Sequence, residues 1–221
     1  MDEEVDYRAV VHYKTYPRFP RICLEETGPA SSLGRIIAAR RTRRESSGRE
    51  LERSELHSIL AAAAGRTGGP DPRERDLRAY PSAGARYPLE LYLFAFRVGG
   101  LESGMYHFCP RDGSLEVLLE ADLLDPVADL LGDALECFRD SALAYLVVSA
   151  IEERTTYKYG EEGRRFPLIE AGYMGANLTL LLGEAWFNTV DMGTPWSEEE
   201  LGRLLDLNPA RERVIASMAV L

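Results

Sequence analysis

One segment constrains the fold of this 221-residue chain more than any other: the residues from Leu168 to Trp186 are apolar on almost every side of a helix. A helix on a protein surface has one apolar and one polar face, whereas a helix that is apolar all round lies in an interior. Since 45% of all residues are hydrophobic, there is enough apolar material to cover it. The sequence therefore predicts a central buried helix, in one sizeable domain or in one half of an intertwined dimer.

Helices and strands are predicted to follow one another irregularly along the rest of the chain. The predicted helices begin at Leu33 and run into residues 40–44, extend from an N-cap at Ser54 to Gly65, cover residues 123–138, and start again after Ser197. The predicted strands cover residues 89–97, 105–109, 115–119, 143–151 and 214–221, with a hairpin turn at 111–113. Residues 65–78 and 152–166 are predicted to be loops, the second of a kind that lines a site. Without a regular strand–helix–strand repeat the class is α+β, with an irregular arm at residues 1–32 and one domain at 33–221.

Charge and apolar runs argue against several function classes. The formal net charge of −10 disfavours general binding to nucleic acid or to a membrane surface. The longest apolar run, Ala142 to Ile151, is too short to span a bilayer, and the acidic first six residues do not resemble a secretory signal. Three cysteines and three histidines show no metal-type spacing, so we expect no metal site and a reduced, cytoplasmic setting.

The run Arg40, Arg41, Thr42, Arg43, Arg44 is the densest positive charge in this acidic chain. Guanidinium groups bind phosphate oxygens in a bidentate manner, and a threonine hydroxyl adds one more donor. A solvated helix end is an equally good interpretation, because arginine interacts favourably with the C-terminal end of a helix dipole. This segment alone leaves both interpretations open.

Two glycine-containing turns could approach a flat ligand closely. Pro81-Ser82-Ala83-Gly84 precedes a predicted strand, and its small residues would expose backbone groups beside the Ser82 hydroxyl. Gly193 follows the long helix and could present its backbone N–H to the edge of a ligand. Both segments could also be plain connectors. No dinucleotide-binding or Walker-type glycine motif is present.

Lysine is rare in this sequence: among 26 basic residues only Lys14 and Lys158 are lysines. Lysine can give up its proton in a protein, whereas arginine effectively cannot. Lys158 precedes Tyr159, and an ammonium group beside a phenol stabilises the phenolate, which can act as a base. The plain alternative is a surface charge next to a packing aromatic residue. The scarcity of lysine favours a chemical role for Lys158 and Tyr159.

Taken in order, these motifs resemble those of the SagB-type dehydrogenases within the nitroreductase superfamily. The arginine run resembles the opening Arg-Arg-Ser-x-Arg of that superfamily, and residues 81–92 resemble the family's Pro-Ser-Ala-Gly-x-x-Tyr-Pro-Leu-Glu-Leu-Tyr. Residues 104–108, 158–159, 170–172 and 177–178 match later family positions. The chain departs from the pattern at Tyr173, where members often have His, and at Ala176, where they often have Gln.

This resemblance implies a nitroreductase-like, FMN-binding fold with a central, mostly antiparallel sheet, in a homodimer that holds two flavins at the subunit interface. It implies two groups of site residues. The catalytic pair would be Lys158 and Tyr159. The cofactor-binding residues would be Arg40, Arg41, Thr42 and Arg44 at the FMN phosphate, Ser82, Ala83 and Gly84 along the ribityl chain and ring, Asn177, and Gly193 at the hydride-accepting nitrogen.

The activity that the resemblance implies is oxidation of a thiazoline or oxazoline to the aromatic azole in a peptide. Tyr159, assisted by Lys158, would take a ring proton while hydride passes to FMN, with molecular oxygen as the final acceptor. A cyclodehydratase, contacted by residues 1–32, would present the precursor peptide. The alternatives are an NAD(P)H-dependent reductase of nitro compounds or quinones, an azoline oxidase of a nonribosomal assembly line, and a flavin-free scaffold subunit of a maturase complex.

Overall fold

The computed structural model describes residues 14, 16–23, 28–29, 31–67, 76–132, 138–193 and 198–221. The helices in these ranges are α1 (Ser32–Ala39), α2 (Arg53–Ala64), α3 (Leu124–Leu131), α4 (Phe138–Ser141), α5 (Glu153–Tyr159), α6 (Phe166–Glu184) and α7 (Glu198–Leu204). The strands are β1 (Leu51–Glu52), β2 (Leu89–Ala95), β3 (Val98–Gly99), β4 (Gly104–Cys109), β5 (Ser114–Glu120), β6 (Ala144–Ala150), β7 (Thr189–Gly193) and β8 (Arg213–Val220). Short 3-10 helices cover Ala83–Ala85 and Gly160–Arg165.

Six of the strands form one sheet in the order β5-β4-β2-β6-β8-β7, and every neighbouring pair is antiparallel. The short strands β1 and β3 form a separate parallel pair. The predicted hairpin is confirmed, with β4 and β5 joined by a turn in which Gly113 has a φ of +74°. These features confirm the predicted α+β class and its central antiparallel sheet.

Helices cover both faces of this sheet, and β6 shows why. Successive residues of a strand point to opposite faces, so a strand that is apolar throughout contributes to two cores. Leu146 and Val148 lie in the core that α2 and α6 complete. Tyr145 and Val147 lie in the core that α3 completes. The first of these cores carries the candidate site on its rim.

Helix α6 confirms the long apolar helix that the sequence predicts, although the rest of the chain buries only part of its apolar surface. Met174, Leu178 and Leu182 are almost fully buried against the first core. Ile169 and Tyr173 remain 47% and 46% exposed, and Trp186, just after the helix, is 78% exposed. One chain therefore leaves an apolar face of α6 in contact with solvent.

Two predicted helices have different bounds. Helix α2 begins at Arg53 with Glu52 as its N-cap, so the prediction that Ser54 caps it was wrong. The predicted helix over residues 123–138 was also wrong, because α3 ends at Leu131, where Gly132 takes a φ of +54°. Residues 133–137 lie outside the described ranges, and α4 begins at Phe138.

The loop predicted over residues 152–166 was wrong: α5 and a 3-10 helix occupy it. The segment lacks an apolar stripe, since Thr155 is the residue that α5 buries, and periodicity therefore gives no helical signal. Helix α1 ends at Ala39, so the arginine run begins at its C-cap, Arg40. Ser197, residues 68–75 and most of the predicted arm lie outside the described residues. Within those residues, no helix has the length and apolar character needed to cross a bilayer.

Candidate functional site

The turn around Gly84 lies directly against the end of α5. Gly84 has a φ of +64°, a conformation that glycine adopts without steric cost. A Cβ atom built on it would lie 2.7 Å from Lys158 Nζ and 2.7 Å from Tyr159 OH. A side chain would therefore displace both groups. The structure thus brings Gly84 into contact with Lys158 and Tyr159, two site residues that follow it by more than seventy positions in the sequence.

Helix α5 places the Lys158–Tyr159 pair at this turn. The Arg154 guanidinium donates to the carbonyl oxygen of Tyr87 at 2.9 Å and forms an ion pair with Glu90, which fixes α5 to the residues that follow the turn. The ring of Tyr159 packs edge-on against Phe166, with centroids 4.9 Å apart. The Lys158 ammonium lies 5.0 Å from the centre of the Tyr159 ring. Lys158 is exposed and Tyr159 half-buried, so a ligand can reach both.

Glu170 is a buried carboxyl group behind the same turn. The Ser82 hydroxyl and the Ala83 N–H both donate to its Oε1, at 2.9 and 3.1 Å. Burial raises the pKa of Glu170 above its ordinary value, although the hydrogen bonds from Ala83 and Ser82 oppose the shift. Residues 170–172 match family positions, but the sequence prediction gave Glu170 no role, because the burial of a single acid in an apolar helix cannot be read from its neighbours.

Asn177 joins α6 to the neighbouring elements through its side-chain amide. Nδ2 donates to the carbonyl oxygens of Ala63 and Ala79, at 3.2 and 3.4 Å. The first contact holds the end of α2, and the second holds the chain just before the Ser82 turn. Asn177 therefore positions the turn through its amide nitrogen, in addition to any cofactor contact through its oxygen.

A cavity of about 570 Å³ lies between α1, the C-terminal end of α6 and the start of β7. Four arginines contribute to its wall: Arg35, Arg40, Arg41 and Arg43. Ile36, Leu180 and Trp186 provide apolar surface in the same wall. Thr42 and Arg44, which the sequence also assigned to a phosphate site, are not among the residues that line it. The wall thus combines cationic donors with apolar area.

Strand β7 begins at this cavity with Thr189, whereas Gly193, which the sequence assigned to the cofactor, lies at the other end of the strand and does not line it. Partial burial raises the pKa of Asp191, whereas the Thr179 hydroxyl, at 3.5 Å, and the positive charge of Arg40 lower it. Asp191 therefore offsets part of the charge of Arg40. The pairing of β7 with β8 is irregular between Asp191 and Gly193, and such a bulge redirects the backbone at a strand end.

The structure assembles two groups of candidate residues but keeps them apart in one chain. The Gly84 turn lies near Glu170 at the N-terminal part of α6, and the arginine-lined cavity lies at Thr179 to Glu184 of that helix. At 1.5 Å per residue, these parts of α6 are separated by roughly 13–21 Å.

Each group fits one part of FMN. The arginine side chains supply donors for a terminal phosphate. The backbone of the Gly84 turn, which has no room for a side chain, can lie against a planar ring.

Similarity to known proteins agrees with this architecture. The model of the nitroreductase family matches residues 37–220. The chain is 34% identical over 164 residues to the protein named "Putative nitroreductase MJ1384" of Methanocaldococcus jannaschii, covering 74% of this chain and 79% of that protein. It is 32% identical over 108 residues to the microcin B17-processing protein McbC of Escherichia coli, covering 47% of this chain and 39% of McbC.

Solved structures show the same fold. A chain of the E. coli microcin synthetase McbBCD complex, with truncated pro-MccB17 bound, superimposes with a TM-score of 0.71 at 19% identity, over 95% of this chain and 77% of that chain. A "putative nitroreductase" of Desulfovibrio desulfuricans in complex with FMN gives a TM-score of 0.57 at 16% identity, over 86% of this chain and 85% of that one. The family match covers most of the chain, and the predicted nitroreductase-like fold is confirmed. The protein belongs to the nitroreductase family of flavin oxidoreductases.

Proposed function

We propose that this protein is an FMN-dependent dehydrogenase of the SagB type, which oxidises thiazoline or oxazoline rings to thiazole or oxazole in a ribosomally made peptide. The observation that carries this proposal is the contact of Lys158 and Tyr159 with Gly84. A lysine and a tyrosine that lie against a turn able to contact a flat ligand are suited to removing a proton from a bound substrate. A reductase of diffusible acceptors has no need of such a base.

Arg40 and Arg41 in the wall of the cavity, together with Thr42 and Arg44 of the same run outside that wall, would hold the FMN phosphate, and the Ser82–Gly84 turn would support the ribityl chain and the ring. Gly193 and Asn177 would add backbone and amide contacts. When bound, FMN supplies the redox chemistry by accepting hydride. The Ser82 hydroxyl is already used on both sides, donating to Glu170 and accepting from the N–H of Tyr87 at 2.8 Å. Ser82 therefore shapes the turn more than it binds the cofactor.

Tyr159, as the phenolate that the neighbouring Lys158 ammonium stabilises, would take the proton from the azoline ring and become a neutral phenol. The ring loses one proton and one hydride, so the oxidation balances as two electrons passed to the cofactor. Molecular oxygen would take these electrons in the end. The packing of Tyr159 against Phe166 restricts the motion of the phenol and keeps its oxygen at the turn.

A peptide substrate and a cyclodehydratase partner are further parts of this proposal. Their support is the similarity to McbC and to the McbBCD complex, which contains a bound precursor peptide. The main alternative is an NAD(P)H-dependent reductase of nitro compounds or quinones. The similarity to the archaeal protein named as a nitroreductase supports this alternative and covers more of the chain.

Incubation with a synthetic peptide that contains one internal thiazoline tests the proposal. The FMN-loaded protein in air should remove two hydrogen atoms from each ring, as measured by mass spectrometry and by the absorbance of the thiazole. Free FMN under the same conditions is the control. No mass change on thiazoline or oxazoline peptides, together with rapid reduction of 4-nitrobenzoate by NADPH, would establish the reductase instead.

We also expect a homodimer in solution, because α6 and α1 expose apolar side chains that a second copy would cover. Helix α1 buries no residue in the single chain, and it leaves Leu33 and Ile37 more than half exposed. Light scattering should give twice the chain mass of 24.7 kDa. Ile169→Arg on α6 should weaken the dimer and lower its FMN content, whereas Leu118→Arg, at an equally exposed apolar position of β5, should do neither. A stable, flavin-loaded monomer would contradict this expectation.

A further inference from the structure

Glu170 is an ionisable side chain in the interior, on a helix that is otherwise mostly apolar. It is only 2% exposed, and its oxygen Oε2 is buried without a hydrogen-bond partner among the described residues. Burial of a carboxyl group is unfavourable unless its contacts compensate for the lost hydration. The hydrogen bonds found for Glu170 both go to the Ser82–Gly84 turn, and the positive charge of Arg78 adds a weaker Coulombic contribution, so most of the compensation comes from this turn.

The turn requires such support because its backbone is unusual. Gly84 is followed by two residues that also have positive φ angles, Ala85 at 52° and Tyr87 at 45°. Residues with a side chain rarely adopt this conformation, and the surrounding contacts have to hold them in it. Glu170 provides those contacts directly at Ser82 and Ala83. Through the Ser82 hydroxyl, which accepts from the N–H of Tyr87, it also closes the turn at its far end.

The other side of the same turn meets the Lys158–Tyr159 pair. Both groups lie so close to Gly84 that a movement of the turn by the size of one methyl group would displace them or leave them unsupported. We propose that Glu170 is the positioning residue of the candidate active site, which fixes the Ser82–Gly84 turn at the position where it supports Lys158 and Tyr159. Only the statement that this pair is catalytic rests on the proposed function.

The electrostatics of Glu170 agree with this role, because burial raises its pKa above the ordinary value. Its Oε1 accepts both hydrogen bonds from the turn, and the amide oxygen of a glutamine can accept the same two. Glu170→Gln should therefore keep the turn in place, and Glu170→Ala should release it.

The rarity of lysine makes a direct test possible. With lysine labelled with ¹³C at the ε-carbon, the FMN-loaded protein should give two cross-peaks in a carbon–proton correlation spectrum, from Lys14 and Lys158. Lys14→Arg identifies the Lys158 signal, which the ring of Tyr159 should shift away from that of a free lysine. In Glu170→Ala this signal should move to the position of a solvent-exposed lysine. In Glu170→Gln it should stay in place.

Tyr145→Phe is the matched control, because it removes a buried hydrogen bond, from Tyr145 OH to Ser217 Oγ at 2.7 Å, in the core on the other side of the sheet. It should lower the melting temperature without moving the Lys158 signal. If Glu170→Ala does not fold, Ser82→Ala replaces it, since it removes the hydroxyl that connects Glu170 with Tyr87.

An unmoved Lys158 signal in the alanine variant that folds would overturn the proposal, as would an equal displacement in Glu170→Gln or in Tyr145→Phe. The flavin content, measured in each variant, separates loss of cofactor from movement of the turn. None of these signals requires turnover. If the protein does not oxidise azolines, the role inferred for Glu170 is unaffected. If the role of Glu170 is disproved, the proposed activity remains to be tested separately.

Discussion

Lys158→Arg should abolish azoline oxidation almost as completely as Lys158→Ala, while FMN content and dimer mass stay unchanged. Arginine keeps the positive charge, but it loses the compact ammonium group and the ability to exchange a proton. A positioned acid or base contributes on the order of a hundred- to ten-thousand-fold in rate, so we expect a loss of that size, measured as thiazole formed per flavin.

Tyr159→Phe should cause a loss of the same order, because it removes the proton acceptor and preserves the ring that packs against Phe166. Tyr157→Phe is its matched control: Tyr157 lies two residues earlier on α5 and is 84% exposed. Dithionite should still reduce the flavin in every variant. Near-normal turnover in both Lys158→Ala and Tyr159→Phe would exclude the pair from catalysis and favour the reductase alternative. In that case NADPH alone should reduce the bound flavin.

The second large effect is expected in cofactor binding. The double variant Arg40→Ala/Arg44→Ala should be purified largely without flavin, because a hydrogen bond to a charged group contributes about 1.5–3 kcal/mol and two such donors are removed. The corresponding loss of affinity is roughly a hundred- to ten-thousand-fold. Absorbance of the purified protein, and chromatography of the flavin released on denaturation, give the content and distinguish FMN from FAD.

A variant of equal charge controls for the general effect of removing two arginines. Arg203→Ala/Arg211→Ala removes two exposed arginines in α7 and in the turn before β8, which belong neither to the arginine run at residues 40–44 nor to the wall of the cavity. It should retain its flavin. Full FMN content in Arg40→Ala/Arg44→Ala would place the phosphate elsewhere. A wild-type protein that cannot be loaded with FMN would favour the scaffold alternative.

The parts of the fold that follow from periodicity could be predicted from the sequence. Helix α6, the β4–β5 hairpin and the buried strand β6 each show one dominant pattern, which packing reinforces. Helix α5 could not be predicted, because its residues are polar and are held by contacts distant in sequence, such as that of Arg154 with Tyr87. The end of α3 depended on a single glycine, Gly132, whose positive φ has no signal in the apolar pattern.

The candidate site shows the same division. Motifs identified Gly84, Lys158 and Tyr159 separately, but only the fold brings them into contact. Glu170 was missed because its importance comes from being buried behind the turn, and burial of one acid cannot be read from its neighbours in sequence. The distance between the arginine-lined cavity and the Lys158–Tyr159 pair is set by the length of α6. The motifs alone do not give this distance.

The strand order has a consequence for how the protein forms during synthesis. Strand β8 lies between β6 and β7, although it follows both along the chain. Until residues 213–220 leave the ribosome, β6 can pair only with β2, and β7 has no strand of the sheet to pair with. An unpaired strand edge promotes association between nascent chains, and pairing across long sequence separations is slow. Thr189, the residue by which β7 contributes to the cavity wall, therefore gains its partner Val220 only when β8 is inserted, so this part of the wall is completed late.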